Sequence, residues 1–421
     1  MLQRVKTSAL PLAAYQGHVD HGLPAQIEAL AGGLRGLRVV HINATPEGGG
    51  VAEMLRSLVP LSRAVGLDAR WYVLPPDEAF FGVTKRMHNW LQGRPGHPTA
   101  GDKRTYLDYL ARLAKRMEKL RADVWIVHDP QPLPLRSLVP LRGAAAWRCH
   151  IDCSTPNQQV QAHLLPWMRD YDRAVFSMPE YASGDLPPGL SQIQHPAIDP
   201  LTLKNRPLGL GEAQSILDGL GIDPQRPLVT QVSRFDPWKN PWQAVDAYRL
   251  AKREVPGLQL ALVGVFSAKD DPEGPKIYRS VLRHARRDPD IHLFTDPRRV
   301  GQREVNAFQA GSTAILQRSV REGFGLTVTE AMWKGRPVIA TPVGGIKLQI
   351  RDAENGFLAA TTEDCAERIV RLIRNPNLAR AVGEAARSSV RERFLLPRLL
   401  LDDLRLYGGL VSNRPGSRLV A

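Results

Sequence analysis

Three cysteines in 421 residues are too few, and too odd in number, for a disulfide framework. Cys149, Cys153 and Cys365 fit a reducing compartment, so the expected location is cytoplasmic. Cys149 and Cys153 flank His150 in "CHIDC". That spacing leaves a metal reading open, but the strand-like alternation around it favours thiols buried as small hydrophobes. No stretch approaches the roughly 18 consecutive apolar residues a membrane helix needs. The opening "MLQRVKTSALPLAAYQGHVD" has a short apolar run broken by Pro11 and does not read as a signal peptide. No His/Cys cluster has zinc spacing, and Asp288-Pro289-Asp290 reads as a turn, so no metal is expected. Long Lys/Arg runs, recognition-helix patterns and zinc-finger spacing are also missing. Yet Lys and Arg number 56 against 42 Asp and Glu, a formal charge of +14. That balance suits an anionic partner, either nucleic acid or a phosphorylated small substrate, or else a basic solvated surface.

Apolar residues make up 43% of the chain and charged residues 23%, ordinary for a globular protein of two domains. Strand-like and helix-like stretches alternate. "LRVVHINAT", "ARWYVL", "VWIVHD", "WRCHID" and "AVFSM" read as strands of one run. From Pro227 the alternation restarts with "PLVTQVS", "LQLALVGV", "IHLF", "TAILQ" and "PVIAT". The expected fold is α/β: two facing Rossmann-like, doubly wound domains with a ligand cleft between them. The expected division is 1–205 for the first domain and 206–395 for the second. The segment 396–421 is helical, broken at Pro397, and is expected to pack back on the first domain.

Ligands of open parallel sheets sit beyond the carboxyl ends of the strands, so the loops there carry the functional reading. After the first strand comes "PEGGGVAE", where Gly49 and Gly50 let the backbone of a helix start approach an anion. A flexible turn explains it equally well. "GHVDHGLP" imitates a phosphate loop but has Leu23 and Pro24 where lysine and a hydroxyl are needed. "RFDPWKNP" offers Arg234 and Lys239, a fork and a point charge suited to a diphosphate, with a surface Arg and Lys as the plain reading. "REGFGLTVTEAMWKG" places Glu322 on a glycine turn and Glu330 one turn into a helix, with Thr327 the expected cap. Carboxylates accept hydroxyl donors. A glycosidase acid–nucleophile pair is the rival, and the nearby cations argue against it. His128 and His150 each end a strand, where a lone histidine is more often structural.

Taken together, the GGG loop, "SRFDPWKNP" and "EGFGLTVTEAMWKGRPVIATPVGG" resemble the retaining glycosyltransferases with two facing Rossmann-like domains (the GT-B type). "VVHINATPEGGGVAEMLRSLVPLSRAVGLDARWYVL", "FFGVTKRMHNWLQG", "VHDPQPLPL", "WRCHIDCSTPN" and "IDPLTLKN" are closer to the trehalose glycosyltransferring synthases. This resemblance runs from about Leu37 to Arg393. It implies that Arg234 and Lys239 hold the donor diphosphate and that Glu322 takes hydroxyls of the transferred glucose. Glu330 would take the ribose. Gly49 and Gly50 would approach the phosphate, Phe324, Gly325 and Leu326 would offer backbone groups, and His150 would lie near the reacting centre. Lys85, Asn89, Gln92, Asp129 and Gln131 would line the acceptor pocket. The implied donor is a nucleoside-diphosphate glucose, such as UDP-glucose or ADP-glucose. Glucose is the acceptor and trehalose the product, with no cofactor required and the reverse reaction open. A homodimer is implied, with no nucleic acid or membrane partner. Glu47 and Ala197 depart from the pattern. The competing readings are a trehalose phosphorylase using inorganic phosphate, a glucosyltransferase with another acceptor, and a basic nucleic-acid-binding protein. The last leaves the glycine turns and glutamates without a role.

Overall fold

The computed structural model describes residues 2–264 and 274–412. Among them the elements run β1 (Gln3–Arg4), α1 (Gly22–Gly32), β2 (Arg38–Asn43), α2 (Gly50–Ala64), β3 (Asp68–Val73), α3 (Glu78–Leu91), α4 (Ala100–Ala114), β4 (Val124–His128), α5 (Leu135–Leu138), β5 (Ala144–Cys149), α6 (Gln158–Arg169), β6 (Arg173–Phe176) and β7 (Ser191–Ile193). They continue α7 (Leu210–Asp218), β8 (Leu228–Val232), α8 (Pro241–Lys252), β9 (Gln259–Val263), α9 (Gly274–Ala285), β10 (Ile291–Phe294), α10 (Gln302–Gly311), β11 (Ala314–Gln317), α11 (Leu326–Trp333), β12 (Val338–Ala340), α12 (Ile346–Gln349), β13 (Phe357–Leu358), α13 (Thr362–Arg374), α14 (Pro376–Arg393) and α15 (Leu396–Ser412).

Two compact units result: residues 1–197 with 396–421, and residues 198–395. The division falls after Ala197, not after Asn205. Residues 198–205 are tied into unit 2, because Ile198 bridges to Leu395 and the Asn205 carbonyl accepts from Trp333 Nε1 at 3.0 Å. The final helix, α15, packs on α1 and α2. The helical break comes earlier than Pro397: α14 ends at Arg393, and Pro397 sits inside the first turn of α15, where its missing N–H costs no bond.

Unit 1 is a seven-stranded sheet ordered β1-β3-β2-β4-β5-β6-β7, parallel except for the edge strand β1. Every residue of β4 (VWIVH) and β5 (AAAWRC) is buried, as expected for strands covered on both faces. Trp71, Trp125 and Trp147 are fully buried on three of its strands. Each indole N–H has an acceptor: Asn43 Oδ1 at 2.6 Å, the Arg142 carbonyl at 2.8 Å and the Asp129 carbonyl at 2.9 Å. A ring that size takes about 150–250 Å² out of water, so these three anchor the sheet. Unit 2 is a wholly parallel sheet ordered β10-β9-β8-β11-β12-β13. Numbered from β8, that order is 3-2-1-4-5-6, the doubly wound dinucleotide-binding arrangement. Asp288 and Asp290 do form a turn, and both clamp Lys252, at 2.9 and 2.8 Å.

Candidate active site

In unit 2 the winding reverses between β8 and β11, and a ligand crevice opens beyond strand ends at such a point. Arg234 and Lys239 follow β8; Glu322, Phe324 and Gly325 follow β11. Backbone and side chains tie the two loops together. Val320 N–H donates to the Trp238 carbonyl at 2.8 Å. Gln231, on β8, accepts from Arg318 N–H at 3.2 Å and donates to the Lys239 carbonyl at 3.0 Å. Lys239 Nζ then sits 2.5 Å from Glu322 Oε2, and Gln317 Nε2 and Ser319 Oγ donate to the same oxygen at 3.2 and 3.1 Å. Glu322 is 7% exposed, so its charge is held by built-in donors and not by water. Arg234 is more open, at 36%, with Nη2 3.5 Å from the buried carboxylate of Asp236.

Below this pair, Gly325 has φ +87° and forms the N-cap of α11. Thr327 is not the cap. It lies within the first turn, where its hydroxyl reaches Gln317 Oε1 at 3.3 Å. Gly325 has no side chain with which to cap the first N–H groups of α11, a helix start of the kind that suits an anion. "PVGG" braces the turn from beneath. A Cβ on Gly345 would lie 2.5 Å from Phe324 Cα, and buried Gln349 donates to the Phe324 carbonyl at 2.6 Å. Glu330 is 1% exposed. Its Oε1 pairs with Lys204 at 2.7 Å and its Oε2 accepts from Gln309 at 3.2 Å. Each oxygen keeps a further lone pair for a hydroxyl. Beside it, burial pushes Lys334 down to about 7. Lys204, Gln309, Gln317 and Gln349 were not singled out in the sequence. Only Lys204 had a visible signal, in "IDPLTLKN".

In unit 1 the winding reverses between β2 and β4. α2 begins at Gly50 with Gly49 as N-cap, a residue without a side chain to cap the helix start. After β4, Asp129 adopts φ +63°, which Asp tolerates better than most residues. Its Oδ1 accepts from His150 N–H at 2.8 Å, and burial pushes its carboxyl up to about 7. Asp129 thus braces the loop that carries His150. His150 Nε2 lies 3.0 Å from His128 Nδ1, and His128 Nε2 lies 3.1 Å from His41 Nδ1. Burial, then the neighbouring Arg148 charge, hold His41 and His150 down at about 3, so these rings are neutral. Gln131 Oε1 is buried without a hydrogen-bond partner, a free acceptor for a ligand donor. Lys85, Asn89 and Gln92, spaced i, i+4 and i+7, form one stripe at the end of α3, with Asn89 and Gln92 buried. Cys149 and Cys365 are buried and Cys153 is half-buried; all three are free thiols.

The geometry now has counterparts among known proteins. A family described as trehalose synthase, N-terminal domain, matches residues 41–183, and one described as glycosyl transferases group 1 matches residues 213–389. A trehalose synthase of Rubrobacter xylanophilus is 46% identical over 98% of this chain and all of that protein. The chain belongs to the trehalose synthase family. It is a glycosyltransferase of that family, and the trehalose synthase of Pyrococcus horikoshii matches at 42% over 94% of this chain and 97% of its own. A trehalose phosphorylase of Grifola frondosa is more distant, 27% identical over 89% of this chain and 58% of that protein. The fold of the chain is similar to that of the sucrose-phosphate synthase of Thermosynechococcus elongatus, with a TM-score of 0.71 at 18% identity, covering 90% of this chain and all of the other. Among the described residues no helix is long and apolar enough to cross a membrane.

Proposed function

We propose that the chain transfers glucose from a nucleoside-diphosphate glucose to a second glucose, forming trehalose with retention at the donor's anomeric carbon. The observation that carries this reading is the 2.5 Å contact between Lys239 and Glu322 at the switch point of unit 2. A diphosphate needs fixed cations and the hexose attached to it needs acceptors, and here the two chemistries are adjacent. Arg234, Lys239 and the helix start of α11 take the diphosphate. Glu322 takes sugar hydroxyls and Glu330 the ribose. Gly49 and Gly50 offer backbone N–H groups to the phosphate. His150 contacts the sugar, and Lys85, Asn89, Gln92, Asp129 and Gln131 bind the acceptor.

In the transfer, the bond from the anomeric carbon to the phosphate oxygen breaks as the acceptor oxygen bonds to that carbon from the same face. The acceptor's proton passes to the departing phosphate oxygen. Charge builds on the nucleoside diphosphate as it leaves, and Arg234 and Lys239 stabilise that charge. No protein nucleophile is consumed and no metal or other cofactor is called for, since the cationic side chains carry the electrostatic work. The reverse step uses the same groups.

The test is incubation of the full chain with UDP-, ADP- or GDP-glucose and carbon-13-labelled glucose, with the product and its anomeric configuration read by NMR. Labelled trehalose and one nucleoside diphosphate per glycosidic bond are expected. Glucose 1-phosphate released from trehalose only when inorganic phosphate is supplied would instead identify a phosphorylase and overturn the reading.

A further inference from the structure

His150 ends a hydrogen-bonded chain that crosses the interior of unit 1. Beyond His128 and His41, the His41 Nε2 lies 3.4 Å from the hydroxyl of Tyr407, and that hydroxyl lies 3.3 Å from Asp403 Oδ2. Arg148 Nη2 donates to Asp403 Oδ1 at 2.8 Å. Tyr407 and Asp403 are one turn apart on α15. His41, His128 and Tyr407 are fully buried and Asp403 is 1% exposed, while His150 is half-buried.

A neutral imidazole has one N–H and one lone pair. Two N–H groups, or two lone pairs, cannot bond to each other. The proton at one contact therefore dictates every other contact along the chain. The choice is forced at Asp403. Burial favours its protonated form, but the guanidinium of Arg148, only 4% exposed, would then be a buried charge without its counter-ion. An arginine guanidinium keeps its proton in proteins, so the ion pair at 2.8 Å is charged and the carboxylate only accepts. Tyr407 donates to Asp403, and the Tyr407 oxygen accepts from His41 Nε2–H. His41 Nδ1 accepts from His128 Nε2–H, and His128 Nδ1 accepts from His150 Nε2–H. His150 is left with an unprotonated Nδ1.

We propose that Tyr407 and Asp403 are positioning residues for the transfer: through His41 and His128 they hold His150 as the Nε2–H tautomer, so that its Nδ1 meets a sugar hydroxyl as a hydrogen-bond acceptor. The sugar contact rests on the proposed glucose transfer, whereas the tautomer does not. An uncoupled imidazole populates both tautomers, and one of them would present the hydroxyl with a donor in place of an acceptor. The C-terminal helix thereby supplies two residues to the chemistry of a histidine far from it in sequence.

The experiment uses the full chain labelled with nitrogen-15 histidine and long-range proton–nitrogen correlation spectra, which distinguish the two tautomers. A His150→Gln variant assigns the His150 signals. In the wild type, His150 is expected as the Nε2–H form. In Tyr407→Phe, which keeps the ring volume, the His150 signals shift toward a mixture. Its kcat falls roughly three- to tenfold, the worth of about one net hydrogen bond, with donor KM little changed. A wild-type His150 in the Nδ1–H form overturns the proposal, whatever the variant does. A Tyr407→Phe protein with lower kcat but an unaltered tautomer also overturns it, since the effect would then be structural. So does an altered tautomer with unaltered kcat. A wild-type chain that forms no trehalose but shows the expected tautomers would sink the proposed function and leave the hydrogen-bond chain standing.

Discussion

Beyond the strand ends of unit 2 a lysine and a glutamate meet at 2.5 Å, whereas in unit 1 three neutral imidazoles, from within β2, the end of β4 and the loop after β5, meet at 3.0 and 3.1 Å. Both sheets reverse their winding beside the loops concerned, so the fold does not explain the contrast. Under the proposed function, ligand chemistry does: a diphosphate carries permanent charge and would be met by the cations Arg234 and Lys239, whereas a sugar hydroxyl carries none and would be met at His150 by a neutral acceptor whose tautomer has to be fixed. The surrounding residues follow suit. In unit 2, Gln231, Gln317 and Ser319 bond to the ion pair or the loops that carry it. In unit 1, Asp129 is spent on a backbone N–H, and a buried ion pair is kept back at Arg148 and Asp403.

The contrast breaks most sharply if the charged side is neutralised. Lys239→Ala and Arg234→Ala are each expected to lower kcat by ~10²–10³, the usual effect of losing one stabilising partner of developing charge. Thermal melts should still show a folded protein, because Gln317 and Ser319 continue to donate to Glu322. If both variants turn over like the wild type, the diphosphate does not sit on this loop pair.

The two glycine loops sharpen the comparison through stability. A Cβ at Gly345 would lie 2.5 Å from Phe324 Cα and 2.8 Å from the Gly323 carbonyl oxygen, so backbone must move. Gly345→Ala is expected to cost about 1–3 kcal/mol, as overpacking generally does. A Cβ at Gly49 meets nothing within 4 Å, and its φ of −158° suits any residue. Gly49→Ala should therefore change stability by less than about 0.5 kcal/mol. Chemical denaturation of both variants decides the matter. Equal losses would mean that the unit 1 loop is as tightly braced as the unit 2 loop.

Much of this was legible in the sequence because it is carried by local pattern. Continuous apolar strands such as "VWIVH", alternating with helical spacing, imply covered parallel sheets, and glycine turns at strand ends mark the loops. Arg234, Lys239 and Glu322 were readable because charge beside glycine is conspicuous. The braces were not. Gln231, Gln317 and Gln349 are uncharged and lie in strands or a short helix, where glutamine has no distinguishing context. His41 reads as part of an apolar strand, and its partners Tyr407 and Asp403 stand more than 360 residues away. Thr327 looked like a cap because Thr before a helical pattern usually is one. The positive φ at Gly325 starts the helix earlier and displaces it.

A last comparison concerns Asp129, where unit 1 does bury a carboxyl. Its folded value, about 7, stands above the ordinary carboxylate value of 3.8 because burial penalises the charge. Between those limits the folded chain binds more protons at this site than the unfolded chain does. Stability from this group is therefore intact below about pH 4, falls as pH rises toward 7, and is flat above. Asn at the same position keeps an oxygen for the His150 N–H and has nothing to ionise. Asp129→Asn should match the wild-type melting temperature near pH 4 and exceed it by a margin that grows toward pH 7 and then levels off. A margin that shrinks with rising pH would mean that the ionised carboxylate is the form the loop stabilises. Asp129 would then belong with the charged chemistry of Lys239 and Glu322, and the division between the two strand ends would fail at this residue.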